Sequence, residues 1–167
     1  MLAFTVLAGA LTACSSSSSL SADTGSSAPP PAPSGKPAVT TTRNLPLDTA
    51  NLQVVQIAGI GSVVSDDDGF PLYRYDKDTA QPPKSNCVET ECILVWSPLL
   101  SASGKVNAQG IDQTLLGTVE RGNGLKQVTL GGWPLYRNTN DEGAGQANGN
   151  GVDGAWFAVG PTGQKAG

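Results

Sequence analysis

Tyr73, Tyr75 and Asp78 stand close together in Tyr73-Arg74-Tyr75-Asp76-Lys77-Asp78, and Tyr136 and Asp141 repeat part of that set further on. In an extended strand Tyr73 and Tyr75 share one face while Leu72 and Arg74 share the other. Phenols and a carboxylate so placed could act as redox-active groups. They could equally act as hard oxygen ligands for ferric iron or another transition-metal ion, which carboxylate and phenolate suit better than soft donors do. Trp96, Trp133 and Trp156 would then be relay aromatics. The competing expectation is structural: tyrosine and tryptophan are strand formers that fill a small core with their polar ends hydrogen-bonded. The recurrence of Arg74 with Asp78, and of Arg137 with Asp141, favours this second reading, because a guanidinium bridging to a carboxylate braces a strand end. The second copy also keeps Tyr136, Arg137 and Asp141 while Asn138 replaces the second aromatic, as a structural device would.

Other chemistries have less to work with. Histidine is absent, which removes Ser-His-Asp and Cys-His nucleophile pairs and imidazole acid–base work near neutral pH. Ordinary zinc sites lose their main nitrogen ligand as well. A hydrolase would need a carboxylate pair, with Asp76 or Asp78 partnered by Glu89 or Glu91, but an acidic protein crowds such residues on its surface anyway. No organic cofactor motif is present, and the expectation is a non-enzymatic protein. The formal net charge is −4, and from Leu47 onward eight basic residues face thirteen acidic ones. That balance argues against nucleic acid as a partner and against charge-driven binding to anionic lipid. Asp66-Asp67-Asp68-Gly69 reads as a hairpin turn, since it lacks the alternating carboxylates and closing glutamate of an EF-hand loop; a cation site is the alternative.

The elements that must position these residues come in two related copies. Gly69-Phe70-Pro71-Leu72-Tyr73-Arg74 returns as Gly132-Trp133-Pro134-Leu135-Tyr136-Arg137, and Trp96-Ser97-Pro98-Leu99 is echoed by Trp156-Phe157-Ala158-Val159. A period of this size signals a duplicated supersecondary unit that can need its twin to close a core. Leu52 to Ala58 and Ser62 to Ser65 read as strands, with Leu72 to Tyr75 returning as the partner of the second. Ile93 to Trp96 reads as a strand that stops at Pro98, and Ser101 to Gln113 as loop. Leu115 to Arg121 and Leu125 to Leu130 form the clearest hairpin, and Ala155 to Val159 is the last strand. No segment holds a 3.6-residue period, so helix should be scarce. The expected fold is all-β: two antiparallel hairpin or meander repeats, about 51–105 and 115–164, packed as a sandwich- or barrel-like domain over 47–167.

Cys87 and Cys92 are most simply a disulfide in an exported domain, with metal-binding or redox thiols as the alternative. In a straight helix their Cα atoms would be roughly 8–9 Å apart, beyond the ~7 Å a disulfide tolerates, so this stretch should be a turn or a broken helical turn. Ahead of the domain, Leu2 to Leu11 is an apolar run too short to span a bilayer, and it reads as the core of a signal peptide over 1–13. No Lys or Arg precedes it, which suggests a natural start further upstream. From Cys14 to residue 46 the chain is rich in Ser and Pro, a composition that stays disordered and makes a tether of roughly 30 Å.

Leu11-Thr12-Ala13-Cys14 resembles the lipobox of bacterial lipoproteins, in which the cysteine is acylated and becomes the first mature residue. Tyr73-Arg74-Tyr75-Asp76-Lys77-Asp78 fits the Yx(FWY)xxD motif of bacterial lipoproteins built from a secreted repeat of unknown function. Asp68-Gly69, the cysteine pair before Trp96-Ser97-Pro98-Leu99-Leu100, Leu116-Gly117-Thr118-Val119, Gly132-Trp133-Pro134-Leu135-Tyr136 and Gly154-Ala155-Trp156-Phe157-Ala158-Val159 follow in that family's order. The resemblance implies a protein at the outer face of the membrane, attached through lipid on Cys14, that serves as an accessory in electron transfer or metal handling with a redox or wall partner in the envelope. A structural or wall-associated interaction module is the alternative.

Overall fold

The computed structural model describes residues 47–122 and 124–167. The expected signal segment, Cys14 and the expected tether lie outside the described residues. The strands are β1 (Leu47–Ile57), β2 (Gly61–Asp66), β3 (Tyr73–Tyr75), β4 (Thr79–Ala80), β5 (Pro83–Lys84), β6 (Trp96–Pro98), β7 (Ser101–Ala108), β8 (Leu116–Glu120), β9 (Lys126–Leu130), β10 (Trp133–Pro134), β11 (Tyr136–Asn138) and β12 (Trp156–Ala158). One helix, α1 (Thr90–Val95), and two 3-10 turns complete the described residues. The fold is all-β, as the patterning predicts, in sheets ordered β2-β1-β7, β10-β9-β8, β12-β3-β11-β6 and β4-β5. No barrel closes among the described residues. Every named pair of strands is antiparallel except β1 with β7, which is parallel.

The expected hairpin β8–β9 forms with Leu116 opposite Leu130 and Glu120 opposite Lys126, the latter a favourable cross-strand charge pair. Three local expectations are corrected. The return of Leu72 to Tyr75 along Ser62 to Ser65 goes only as far as Leu72, whose N–H donates to Val64 C=O at 2.8 Å; the strand partner of β2 is β1. The Asp-Gly turn closes a bridge of Ser65 with Pro71, after which the chain leaves for another sheet. Pro71 has no N–H with which to extend the ladder. Ile93 to Val95 is wound into α1 rather than extended. The Cys87–Cys92 disulfide forms with its Cα atoms 5.5 Å apart; only Cys92 lies within the helix, so the straight-helix objection does not arise. Ser101 to Ala108 is a strand, not loop, because β1 offers it a parallel edge that outweighs the poor strand propensity of Ser, Gly and Asn.

Adjacent residues on the short strands feed two separate cores, as alternation along a strand requires. Leu72, Leu135 and Val159 join Val64, Leu99 and Val128 in one aliphatic cluster. Their neighbours Tyr73, Tyr136 and Ala158 join Val63, Trp96 and Trp156 in an aromatic one.

The two copies are interleaved. β3 and β11 are equivalent strands and run antiparallel with Tyr73 opposite its counterpart Tyr136, so a local two-fold axis passes between the two tyrosines. β12, from the second copy, pairs with β3 of the first, Trp156 opposite Tyr75. β6, from the first copy, pairs with β11 of the second in the matching register, Trp96 opposite Asn138. Backbone bonds extend the exchange: Val64 N–H donates to Val159 C=O and Val128 N–H to Leu99 C=O, both at 2.8 Å. Each copy therefore completes its sheet with the other's tryptophan strand. At the second copy's entry, Gly132 has φ +83°, and a Cβ there would run into the Ala80 carbonyl, so only glycine satisfies both demands.

Candidate functional site

The residues singled out for chemistry meet at that two-fold. Tyr73 and Tyr136 are both fully buried. The Tyr73 hydroxyl donates to Asp141 Oδ2 at 2.7 Å, and the Tyr136 hydroxyl donates to Asp78 Oδ2 at 2.7 Å. Each tyrosine is thus held by the other copy's aspartate. The second carboxylate oxygens are also occupied in parallel fashion: Asp78 Oδ1 accepts from Asn86 N–H at 2.7 Å and Asp141 Oδ1 from Asn148 N–H at 2.8 Å. The two asparagine side chains donate in turn to the carbonyls of Lys77 and Asn140, which are equivalent positions. One half carries more: Ser85 Oγ lies 2.7 Å from the Tyr136 hydroxyl, and Arg121 Nη1 donates to Ser85 at 2.9 Å while its Nη2 donates to the Cys87 carbonyl.

Behind these two clasps the indoles of Trp96 and Trp156 stack, their ring centres 3.9 Å apart and planes 2° from parallel. Tyr75 stacks on the outer side of Trp156 at 4.0 Å. Tyr73 meets Trp96 edge-on at 5.4 Å, and Tyr136 meets Trp156 edge-on at 5.1 Å. Gly149 lines Trp96 so closely that a Cβ would lie 2.7 Å from the indole, which explains why the loop carries glycine there. Trp133 stays out of this stack, covered instead by the Arg74 guanidinium 3.4 Å from its ring centre.

The expected Arg–Asp braces within each copy do not form. Arg74 pairs with Asp76 at 3.2 Å and Arg137 with Asp66 at 2.7 Å, leaving Asp78 and Asp141 to the tyrosines. Asp76 is also held by Lys165 at 2.6 Å, so both aspartates considered for a hydrolase, Asp76 and Asp78, are already engaged. The Asp66–Asp68 carboxylates lie within 4.8 Å of one another, yet Asp66 is committed to Arg137 and to Phe70 N–H, as a turn anchor is.

Burial dominates the electrostatics. It pushes the phenols of Tyr73 and Tyr136 up, and the adjoining carboxylates push the same way. Burial raises Asp141 as well, and raises Asp78 to about 6 against the lowering effect of its donors and of Arg121. Because the folded pKa of Asp78 lies above the unfolded value near ~4, the native state holds the extra proton between these limits. Stability should therefore fall as pH rises from 4 to 7, by about 2 kcal/mol from this residue. Urea unfolding across that range should show the slope, and Asp78→Asn should flatten it. A profile climbing towards neutrality, or one unchanged by the substitution, contradicts this assignment.

A family model described as a secreted repeat of unknown function matches residues 55–99 and again 117–160. The chain belongs to that family. No curated protein and no solved structure matches it. Each matched secreted repeat ends on the tryptophan strand that it gives to its twin, so in this chain one repeat is a half that closes on the second. Ferric iron does not fit the clasps: all four carboxylate oxygens of Asp78 and Asp141 accept hydrogen bonds, and both phenols are held protonated. Sequence reasoning passed over Asn86 and Asn148. Aligning the two secreted repeats finds them, since each follows its aspartate by seven or eight positions.

Proposed function

We propose that this chain is a non-enzymatic accessory outside the cytoplasm, an interaction module tethered by lipid on Cys14. The observation that carries the reading is the commitment of Tyr73, Tyr136, Asp78 and Asp141 to one another across the two copies. Side chains with catalytic potential here serve as internal fasteners, which leaves the outer surface to do the work. The lipobox-like Leu11-Thr12-Ala13-Cys14 and the secreted character of the family support the location. Treating intact cells with a lysine-reactive crosslinker should give a discrete heteromeric band, and Cys14→Ser should move the chain out of the membrane fraction. A chain that stays monomeric at every crosslinker concentration overturns the module; one that stays membrane-bound after Cys14→Ser overturns the anchor.

The stacked indoles favour a second reading, an aromatic electron relay. An oxidised tryptophan would take an electron from Tyr136 while the phenolic proton passes to Asp78, 2.7 Å away. Oxidation by a flash-generated ruthenium(III) complex should then produce a tyrosyl radical whose formation slows in Asp78→Asn. Radical chemistry that never reaches tyrosine removes this reading.

A further inference from the structure

Among the described residues the exposed large apolar side chains are Val88 (56%), Leu94 (68%) and Val95 (38%), all within one short stretch. Singly scattered apolar residues are ordinary on a surface, whereas a cluster marks a contact. Glu91, Leu94 and Val95 stand at i, i+3 and i+4 on α1 and so share a face. The disulfide, with Cα atoms 5.5 Å apart, holds the segment carrying Val88 against the foot of the helix. α1 has no fully buried residue, although Cys92 and Ile93 lean on the aromatic core. The result is a stretch of eight residues, closed on itself by the disulfide, whose three apolar side chains are turned outward as a ridge. Glu89 and Glu91 flank it, exposed, and neither enters a salt bridge among the described residues.

We propose that the ridge of Val88, Glu91, Leu94 and Val95 is the docking surface for an envelope protein that presents an apolar face rimmed by lysine or arginine. The assignment rests on the interaction-module reading and gives that module its face. Charge selects the occupant. Two glutamates beside the apolar strip repel an anionic lipid surface, and a second copy of the ridge would set glutamate against glutamate. A basic rim meets both acids while its apolar centre covers Leu94 and Val95.

The test uses the full chain in intact cells, with a photo-crosslinking amino acid placed at Val88 or Leu94 on the ridge and at Asn107 or Glu120 off it, all exposed positions. Positions 88 and 94 should yield one discrete protein adduct that 107 and 120 do not, and the partner's crosslinked peptide should combine apolar residues with Lys or Arg. Glu89→Lys with Glu91→Lys, in a chain whose near-ultraviolet circular dichroism is unchanged, should cut the yield at least tenfold. Adducts that ignore the charge reversal, or that consist of lipid or of this chain itself, overturn the occupant. Adducts from 107 or 120 alone overturn the ridge but leave the module standing. Capture of no protein from any of the four positions removes both.

Discussion

Tyr136→Phe and Asp78→Ala, combined in a double-mutant cycle, are expected to couple by about 1.5–3 kcal/mol, the worth of a buried hydrogen bond to a charged acceptor. Tyr73→Phe with Asp141→Ala should do the same. The within-copy pairs, Tyr73 with Asp78 and Tyr136 with Asp141, should add to within about 0.5 kcal/mol. Asp78→Ala alone should cost about 2–3 kcal/mol, because it removes the acceptor of both the buried Tyr136 hydroxyl and the part-buried Asn86 N–H and leaves Ser85 as the hydroxyl's remaining partner. Tyr136→Phe costs less, since Asp78 keeps its backbone donor and can take up a proton below pH 6. Equilibrium urea unfolding of the four single and four double variants supplies the numbers. Coupling inside a copy, with none across, would mean that the tyrosines are clasped by their own repeat and that the exchange is misread.

Trp156→Ala should cost about 4 kcal/mol, in the range for emptying a buried indole site, and more than Trp133→Ala. Trp156 is nearly fully buried and touches Trp96, Tyr75 and Tyr136, so its removal opens a hole at the centre of the exchanged sheet. Trp133 is half-exposed and loses mainly the guanidinium stacked on it, an interaction worth about 1–2 kcal/mol. The stacked indoles also provide an independent signal: near-parallel rings at 3.9 Å couple their transitions, and the resulting circular-dichroism couplet should vanish in Trp156→Ala and in Trp96→Ala but survive in Trp133→Ala. Equal losses for all three tryptophans would contradict the stack.

Much of this was legible in the sequence wherever a property is local. Alternation along Leu72 to Tyr75 put Tyr73 and Tyr75 on one face, and they do share the aromatic cluster. The β-branched runs around Gly122–Gly124 fold back as the β8–β9 hairpin, and the close cysteines are bonded. What escaped depends on partners distant in the chain. Arg74 and Asp78 sit at a spacing that invites pairing, yet the phenol that reaches Asp78 comes from the other repeat. β7 is polar and poor in strand formers, and only the edge of β1 makes it a strand. Ile93 to Val95 has strand-like composition, but the turn enforced by the disulfide winds it into α1. Periodicity tells which way a side chain points and leaves unstated which copy supplies its neighbour.

The parity of the exchanged strands has a kinetic consequence. Tyr75 meets Trp156 at a separation of 81 positions (156 − 75 = 81), so the first repeat cannot complete its sheet until almost the whole domain has emerged. Contacts this remote in sequence slow folding, because loop closure precedes any gain. Until Trp156 arrives, β3 lacks its outer neighbour, and the last dozen residues act as a latch. In a secreted repeat of this kind, such a delay leaves the two halves open until both have been made.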